Sequence, residues 1–368
     1  MSIDWWPCLF AALCTAILMP IAMRARSIGR DGDFRSVQKV HVIPASRLGG
    51  GVLFLAYLAT LAWATPMDHA VAWPAVVLAI CCVPVMLIGL WEDVTGSVRP
   101  WYRLAAAVAS AALASVLAGG TIARLDLPVL DGWLRYSIFA LPLTWFMVAG
   151  ACNAINLIDG AHGLAAGTAL MMFAGLAAMA GHVGDRIVMI QALTMVGAIV
   201  GFLVWNYPLG KVFLGDAGAY LLGFMYAELS IQIVSRNAGV SAWYVIALAA
   251  YPIVETLYTI YRRKLVQRTA SMQPDAAHLH SLIFRRLATQ SGRERRGGGL
   301  NRVNASVAPR LWLHGALCLV AALLLHENTR ALIGFSAIYG ACYIVFYRVQ
   351  ARVRAERPRH TLRRAEES

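Results

Sequence analysis

The sequence predicts an all-α fold: a polytopic transmembrane helical bundle of about eleven spans, with its N-terminus periplasmic and its C-terminus cytoplasmic. Three observations predict it. Of the 368 residues, 59% are hydrophobic and only 14% are charged, where a soluble domain carries about a quarter charged residues. The apolar residues come in long unbroken runs, and a spanning helix needs about 20 of them in succession. Only helices and closed barrels satisfy their backbone in lipid, and unbroken runs select helices. Lysine and arginine are also one-sided. With the connections assigned alternately to two sides, 27 of the 32 fall on one side and 5 on the other. Positive residues are retained in the cytoplasm, so the richer side is cytoplasmic. The net charge of +13 is thus a matter of topology, and no nucleic-acid partner is expected.

The spans follow in order. The first, 3–23, starts after Met1 with no basic stretch or small-residue cleavage site, and reads as a retained span. The second, 47–65, opens on Gly49-Gly50-Gly51, and the third, 72–91, ends on Glu92-Asp93. The fourth and fifth, 101–118 and 134–152, flank the longest outer connection, where Leu125 to Gly132 reads as a turn or small hairpin. The sixth, 163–181, and seventh, 187–205, are joined by a short outer loop. The eighth, 217–235, follows Phe213-Leu-Gly215-Asp216, and the ninth, 241–261, ends at the positive stop Arg262-Arg263-Lys264. The inner loop 262–310 has a flexible stretch at Gly297-Gly298-Gly299. The tenth and eleventh spans are 311–326 and 331–347. Residues 1–348 form one membrane domain, and 349–368 read as a disordered basic cytoplasmic tail beside anionic lipid. The seven cysteines all sit in apolar runs without metal-ligand spacing, which makes them small buried hydrophobes.

Polar residues collect on the cytoplasmic side. Glu92-Asp93, Asp159 (in Asn153-Ala-Ile-Asn156-Leu-Ile-Asp159-Gly160) and Asp216 all sit at inner span ends. Converging carboxylates without enough local cations repel one another. A Mg²⁺ ion, with Mn²⁺ as an alternative, relieves that repulsion through hard oxygen ligands shared with substrate phosphates. Two cationic elements face the same side: Lys39-Val40-His41 with Arg47, and His278-Leu279-His280 with Arg285-Arg286. They suit phosphate or sugar contacts better than a zinc site.

Read together, these segments resemble the polyprenyl-phosphate N-acetylhexosamine-1-phosphate transferase superfamily (glycosyltransferase family 4). Lys39-Val-His41-Val-Ile-Pro44 is similar to its first cytoplasmic motif, and Glu92-Asp93 sits where the family has Asp-Asp. Asn153 to Gly160 matches Asn-x-x-Asn-x-x-Asp-Gly, Phe213 to Gly218 matches Phe-Met-Gly-Asp-x-Gly, and His278-Leu-His280 resembles the late histidine motif. The matches run from about residue 39 to 286, in family order, and look closer to the WecA-type branch than to the peptidoglycan branch.

The resemblance implies a Mg²⁺-dependent enzyme of the inner membrane with a cytoplasmic active site. It would join the sugar-1-phosphate of a UDP-N-acetylhexosamine to undecaprenyl phosphate, releasing UMP, as the first step of O-antigen or another surface polysaccharide. It implies Asp216, with Asn156, as the metal ligand, Asp93 beside Glu92 as the base, and Asp159 and Asn156 as orienting groups. Lys39, His41, Asn153, His278 and His280 would hold phosphates or sugar. A homodimer is left open. Two departures stand out: Glu92 replaces the first acid of the pair, and His162 replaces a second acid after Asp159. The rival readings are a secondary transporter, with Glu228 and Glu255 as its embedded acids, and an inactive protein that kept the fold.

Overall fold

The computed structural model describes residues 5–24, 45–64, 69–266, 277–291 and 297–355. Those residues form an all-helical bundle, and a single parallel bridge between Ser46 and Val212 is its one isolated β contact. The helices are α1 (Trp6–Arg24), α2 (Gly49–Ala64), α3 (His69–Thr95), α4 (Pro100–Leu117), α5 (Pro128–Leu134), α6 (Ser137–Ile158), α7 (Leu164–Val183) and α8 (Arg186–Asn206). There follow α9 (Gly215–Arg236), α10 (Ala242–Leu248), α11 (Ala250–Tyr261), α12 (Leu279–Ser291), α13 (Gly297–Ala305), α14 (Val307–Leu325) and α15 (Thr329–Ala355). Among the described residues, nine helices are long and apolar enough to cross a membrane. The chain is therefore a multi-pass membrane protein. Of the eleven expected spans, the second is the shorter apolar helix α2 and the ninth is a pair, α10 and α11, bent by 75°.

α9 is the centre of the bundle, buried along almost its whole length, with α2, α3 and α6 packed directly on it. In lipid there is no hydrophobic drive between helices, so close backbone approach over small residues takes its place. An added Cβ at Gly50 would collide with the backbone of Gly218, one at Gly89 with Ala217, and one at Gly223 with Cys152. The outer pair α1 and α8 meets in the same way, where Gly197 and Gly201 lie against the backbone at Cys8 and Ala12. Neighbouring lipid-facing positions carry exposed leucines and isoleucines, such as Leu9, Leu13 and Ile17 on α1.

Several expectations are corrected. The outer stretch expected as a turn or hairpin contains the helix α5, started by Pro128 at its first turn, a position where a missing N–H costs nothing. The inner loop 262–310 is largely helical where described: a π-helical turn Arg262–Val266, then α12 and α13. Gly297-Gly298-Gly299 lies inside α13 rather than in a flexible link. α15 runs on to Ala355, past the expected end of the membrane domain at 348. Apolar content marked the spans, but helices outlast their apolar runs because backbone hydrogen bonding continues past the last apolar residue.

Candidate active site

The helix overruns place the polar motifs on helix ends. Glu92 and Asp93 lie in the last turn of α3, Asn153 and Asn156 in the last turns of α6, and Asp216 in the first turn of α9. Gly215 starts α9 with φ +74°. That left-handed backbone, and the Arg47 carbonyl where a Cβ would stand, leave room only for glycine. The segment before α2 is tied to the segment before α9. Phe213 N donates to Ser46 O at 2.8 Å, and Gly50 N to Leu214 O at 2.9 Å.

Asp93 is buried, and both of its oxygens are engaged. Oδ1 accepts from Asp216 N at 2.8 Å and Oδ2 from Ala217 N at 3.0 Å. It satisfies two of the unpaired N–H groups at the start of α9 and sits at the positive end of the helix dipole. Asp93 is thereby placed as a cap that fixes its neighbour Asp216. Asp216 Oδ1 accepts from Asn156 Nδ2 at 3.1 Å, and Oδ2 is ion-paired with Arg103. Arg103 also lies 4.0 Å from Glu92 Oε1, while Glu92 Oε2 accepts from Val98 N at 2.7 Å. Asp159 ends α6, and burial and the Asp216 charge push it up to about 7 against the opposing pull of Arg47. Arg103 and Arg47 also correct the expectation that these acids meet without local cations.

The histidine pair arrives from the other side. His278 and His280 stack with ring centroids 5.6 Å apart, and His280 occupies the space beside Gly160 that a Cβ would need. His278 Nδ1 lies 3.3 Å from Glu255 of α11, and the Tyr343 hydroxyl of α15 donates to the same carboxylate. His162 serves structure. Its N–H donates to Asn304 Oδ1 at 2.8 Å, its Nδ1 faces the Pro208 carbonyl at 3.3 Å, and burial lowers its pKa. Lys39 and His41 lie outside the described residues.

Most of these groups, though not Asp93, Glu255 or Tyr343, line a cavity of about 1500 Å³. Arg103, Asn153, Asn156, Asp159, Asp216 and His278 are among its polar lining. Its wall from α4, α6 and α11 is mainly apolar, with Leu104, Val108, Trp145, Val148, Ile253 and Leu257, while Thr121, Arg124, Ser230 and Ser235 line it elsewhere. Glu228, the mid-span acid of α9, is not among its lining residues. Arg103, Glu255 and Tyr343 are the groups that motif reading passed over or left unplaced. The signal for Arg103 was a lone cation inside an apolar run, which in a membrane marks a functional position.

The donor set fits Mg²⁺ in its chemistry. Asp216 and the free oxygen of Asn156 are hard ligands. Among the described residues, however, no three His, Cys, Asp or Glu side chains are placed to hold an ion on their own.

Comparison with known proteins matches residues 75–234, from α3 to α9, to the family model Glycosyl transferase family 4. The chain is 29% identical over 279 residues to the probable undecaprenyl-phosphate N-acetylglucosaminyl 1-phosphate transferase of Bacillus subtilis (strain 168), covering 74% of this chain and 75% of that one. It is 30% identical over 240 residues to the phospho-N-acetylmuramoyl-pentapeptide-transferase of Geobacillus kaustophilus (strain HTA426), covering 61% and 72%. Against the decaprenyl-phosphate N-acetylglucosaminephosphotransferase of Mycobacterium tuberculosis (strain ATCC 25618 / H37Rv) the figures are 29% over 296 residues, covering 72% and 71%.

Proposed function

Because this chain belongs to glycosyl transferase family 4, the polyprenyl-phosphate N-acetylhexosamine-1-phosphate transferases, we propose that it transfers N-acetylhexosamine-1-phosphate from a UDP-sugar to undecaprenyl phosphate. UMP is the second product, and GlcNAc-1-phosphate is the favoured group. The setting is the cytoplasmic face of the bacterial inner membrane, and the pathway is the start of O-antigen or another surface polysaccharide. The observation that carries the reading is the cavity, which is lined both by the acids, amides and arginines of the site and by a long, mainly apolar wall. Such a shape suits an acceptor with a phosphate head and a long hydrocarbon chain.

An oxygen of the lipid phosphate attacks the sugar-bearing phosphorus directly, and the bond to the UMP oxygen breaks. Both substrates are anionic, so their approach is repulsive, and preorganised positive groups lower that barrier. Arg103 and Arg47 supply fixed charge, and His278 and His280 reach the donor phosphates from the opposite wall. Asp216 and Asn156 would hold Mg²⁺, which when bound supplies Lewis-acid neutralisation of the transferring phosphoryl group. Asp159, titrating near neutrality, accepts the proton of a monoprotonated lipid phosphate, and Asp93 keeps Asp216 in place.

The test is purified protein with undecaprenyl phosphate and a panel of UDP-sugars, following UMP and the lipid product. UMP release that depends on the acceptor supports transfer. UDP-sugar binding without UMP release would favour an inactive fold relative.

A further inference from the structure

A second cavity lies between α11, the π-helical turn Arg262–Val266, α12 and α15. It measures about 450 Å³, and its lining carries three arginines, Arg262, Arg348 and Arg352, and no acidic side chain. Arg348 and Arg352 are one helical turn apart on α15 and therefore share a face. Tyr258, Tyr261 and Tyr347 complete the polar rim, with the Arg262 guanidinium 5.8 Å over the Tyr347 ring. The lip of this cleft is apolar. Val266 of the lining and its neighbour Leu265 are 63% and 70% exposed, at the point where the α11 span gives way to Arg262-Arg263-Lys264. Tyrosine and arginine at a span end mark the headgroup level of a bilayer, and basic pockets between spans suit anionic headgroups.

We infer that this cleft binds the phosphate headgroup of an anionic glycerophospholipid, with Arg262, Arg348 and Arg352 around the phosphate and an acyl chain over Leu265 and Val266. A free phosphate ion gains the arginines but nothing from the apolar lip, so the lipid is the favoured occupant.

Sequence neighbours line the cleft and the active-site cavity. Arg262 lines the cleft while Arg263 lines the active-site cavity, and Ala277 lines the cleft while His278 lines the cavity. The π-helical turn Arg262–Val266 turns successive arginines to opposite sides, a distortion that often occurs at functional sites. Tyr347 also donates to the Ala277 carbonyl, so the helix that presents the lipid arginines holds the backbone leading into His278. A lipid in the cleft braces that backbone, and transfer therefore gains from anionic lipid. This second consequence rests on the proposed transferase activity, whereas binding does not.

The experiment uses the full chain, delipidated and placed in nanodiscs of phosphatidylcholine with increasing phosphatidylglycerol. Lipid retained after extraction is read by native mass spectrometry, and UMP release is read in parallel. Wild-type protein should retain phosphatidylglycerol several-fold over phosphatidylcholine. R348A/R352A should lose that preference, R348K/R352K should restore most of it, and R330A should behave as wild type. UMP release should rise several-fold with phosphatidylglycerol in wild type and stay flat in R348A/R352A. Equal phosphatidylglycerol retention by R348A/R352A and wild type overturns the site. Displacement of the retained lipid by millimolar inorganic phosphate overturns the choice of a lipid occupant. Selective retention with UMP release that ignores lipid composition overturns the bracing role. Absence of UMP release under every condition, with retention intact, counts against the transferase reading alone.

Discussion

Arg103 turns a cluster of acids into a site: its charge faces Glu92 and Asp216 directly, while Arg47, just before α2, faces Asp93 and Asp159. Removing one preorganised electrostatic group from a reaction centre costs about 10²–10³ in kcat. R103A should fall in that range while its membrane insertion, read by protease protection, is unchanged. D216N should lose transfer altogether, and turnover within a few-fold of wild type would remove Asp216 from the chemistry. Asp159 gives a pH test. A carboxyl raised to about 7 is neutral below that pH and charged above it. Activity should therefore drop as pH falls through about 7, and D159N should abolish that acid limb. At this scale the sequence was largely legible, because acids at span ends are costly and their cost points to use. It could not show that Asp93 spends both oxygens on backbone N–H groups. A cap is defined by a partner 123 residues away, and no local pattern carries it.

Between helices, the decisive contacts are glycines against backbone. Gly50 touches the start of α9 so closely that a methyl group has no place to go. Overpacking of this sort costs about 1–3 kcal/mol, so G50A should lower thermal stability and disturb Asp216 together. A variant with normal stability and activity would show that α2 and α9 can separate freely. The histidine arm depends on α11 and α15. E255Q keeps a hydrogen-bond acceptor for Tyr343 but removes the charge beside His278. It should raise KM for the UDP-sugar more than it lowers kcat, with Y343F showing a weaker form of the same change. Equal loss in both constants would mean a general structural defect. The sequence announced eleven apolar runs, and all eleven appear as helices or helix pairs. The 75° break at Ala249 was hidden, because a bent span and a straight one have the same composition.

Across the whole molecule, one cavity joins charged lining groups to a long, mainly apolar wall. Acceptors with shortened isoprenoid chains should bind less well, each lost methylene removing about 0.8 kcal/mol of buried apolar contact at most. EDTA should stop turnover and added Mg²⁺ should restore it, and full activity in the chelator would exclude a metal-assisted route. Of the acids and histidines singled out in the sequence, Glu92, Asp159, Asp216, His278 and His280 line one cavity. What sequence could not supply was the route between them, since cavities are made by packing and not by any one segment. The glycine contacts have one more consequence. Every acid of the reaction centre is carried by helices locked backbone to backbone, whereas the histidines sit at the start of α12, braced by the bent span through Glu255. Opening and closing during turnover should then be a property of the histidine side alone. Spin labels on α3 and α6 should report one fixed separation through the cycle, while a label on α12 moves relative to both.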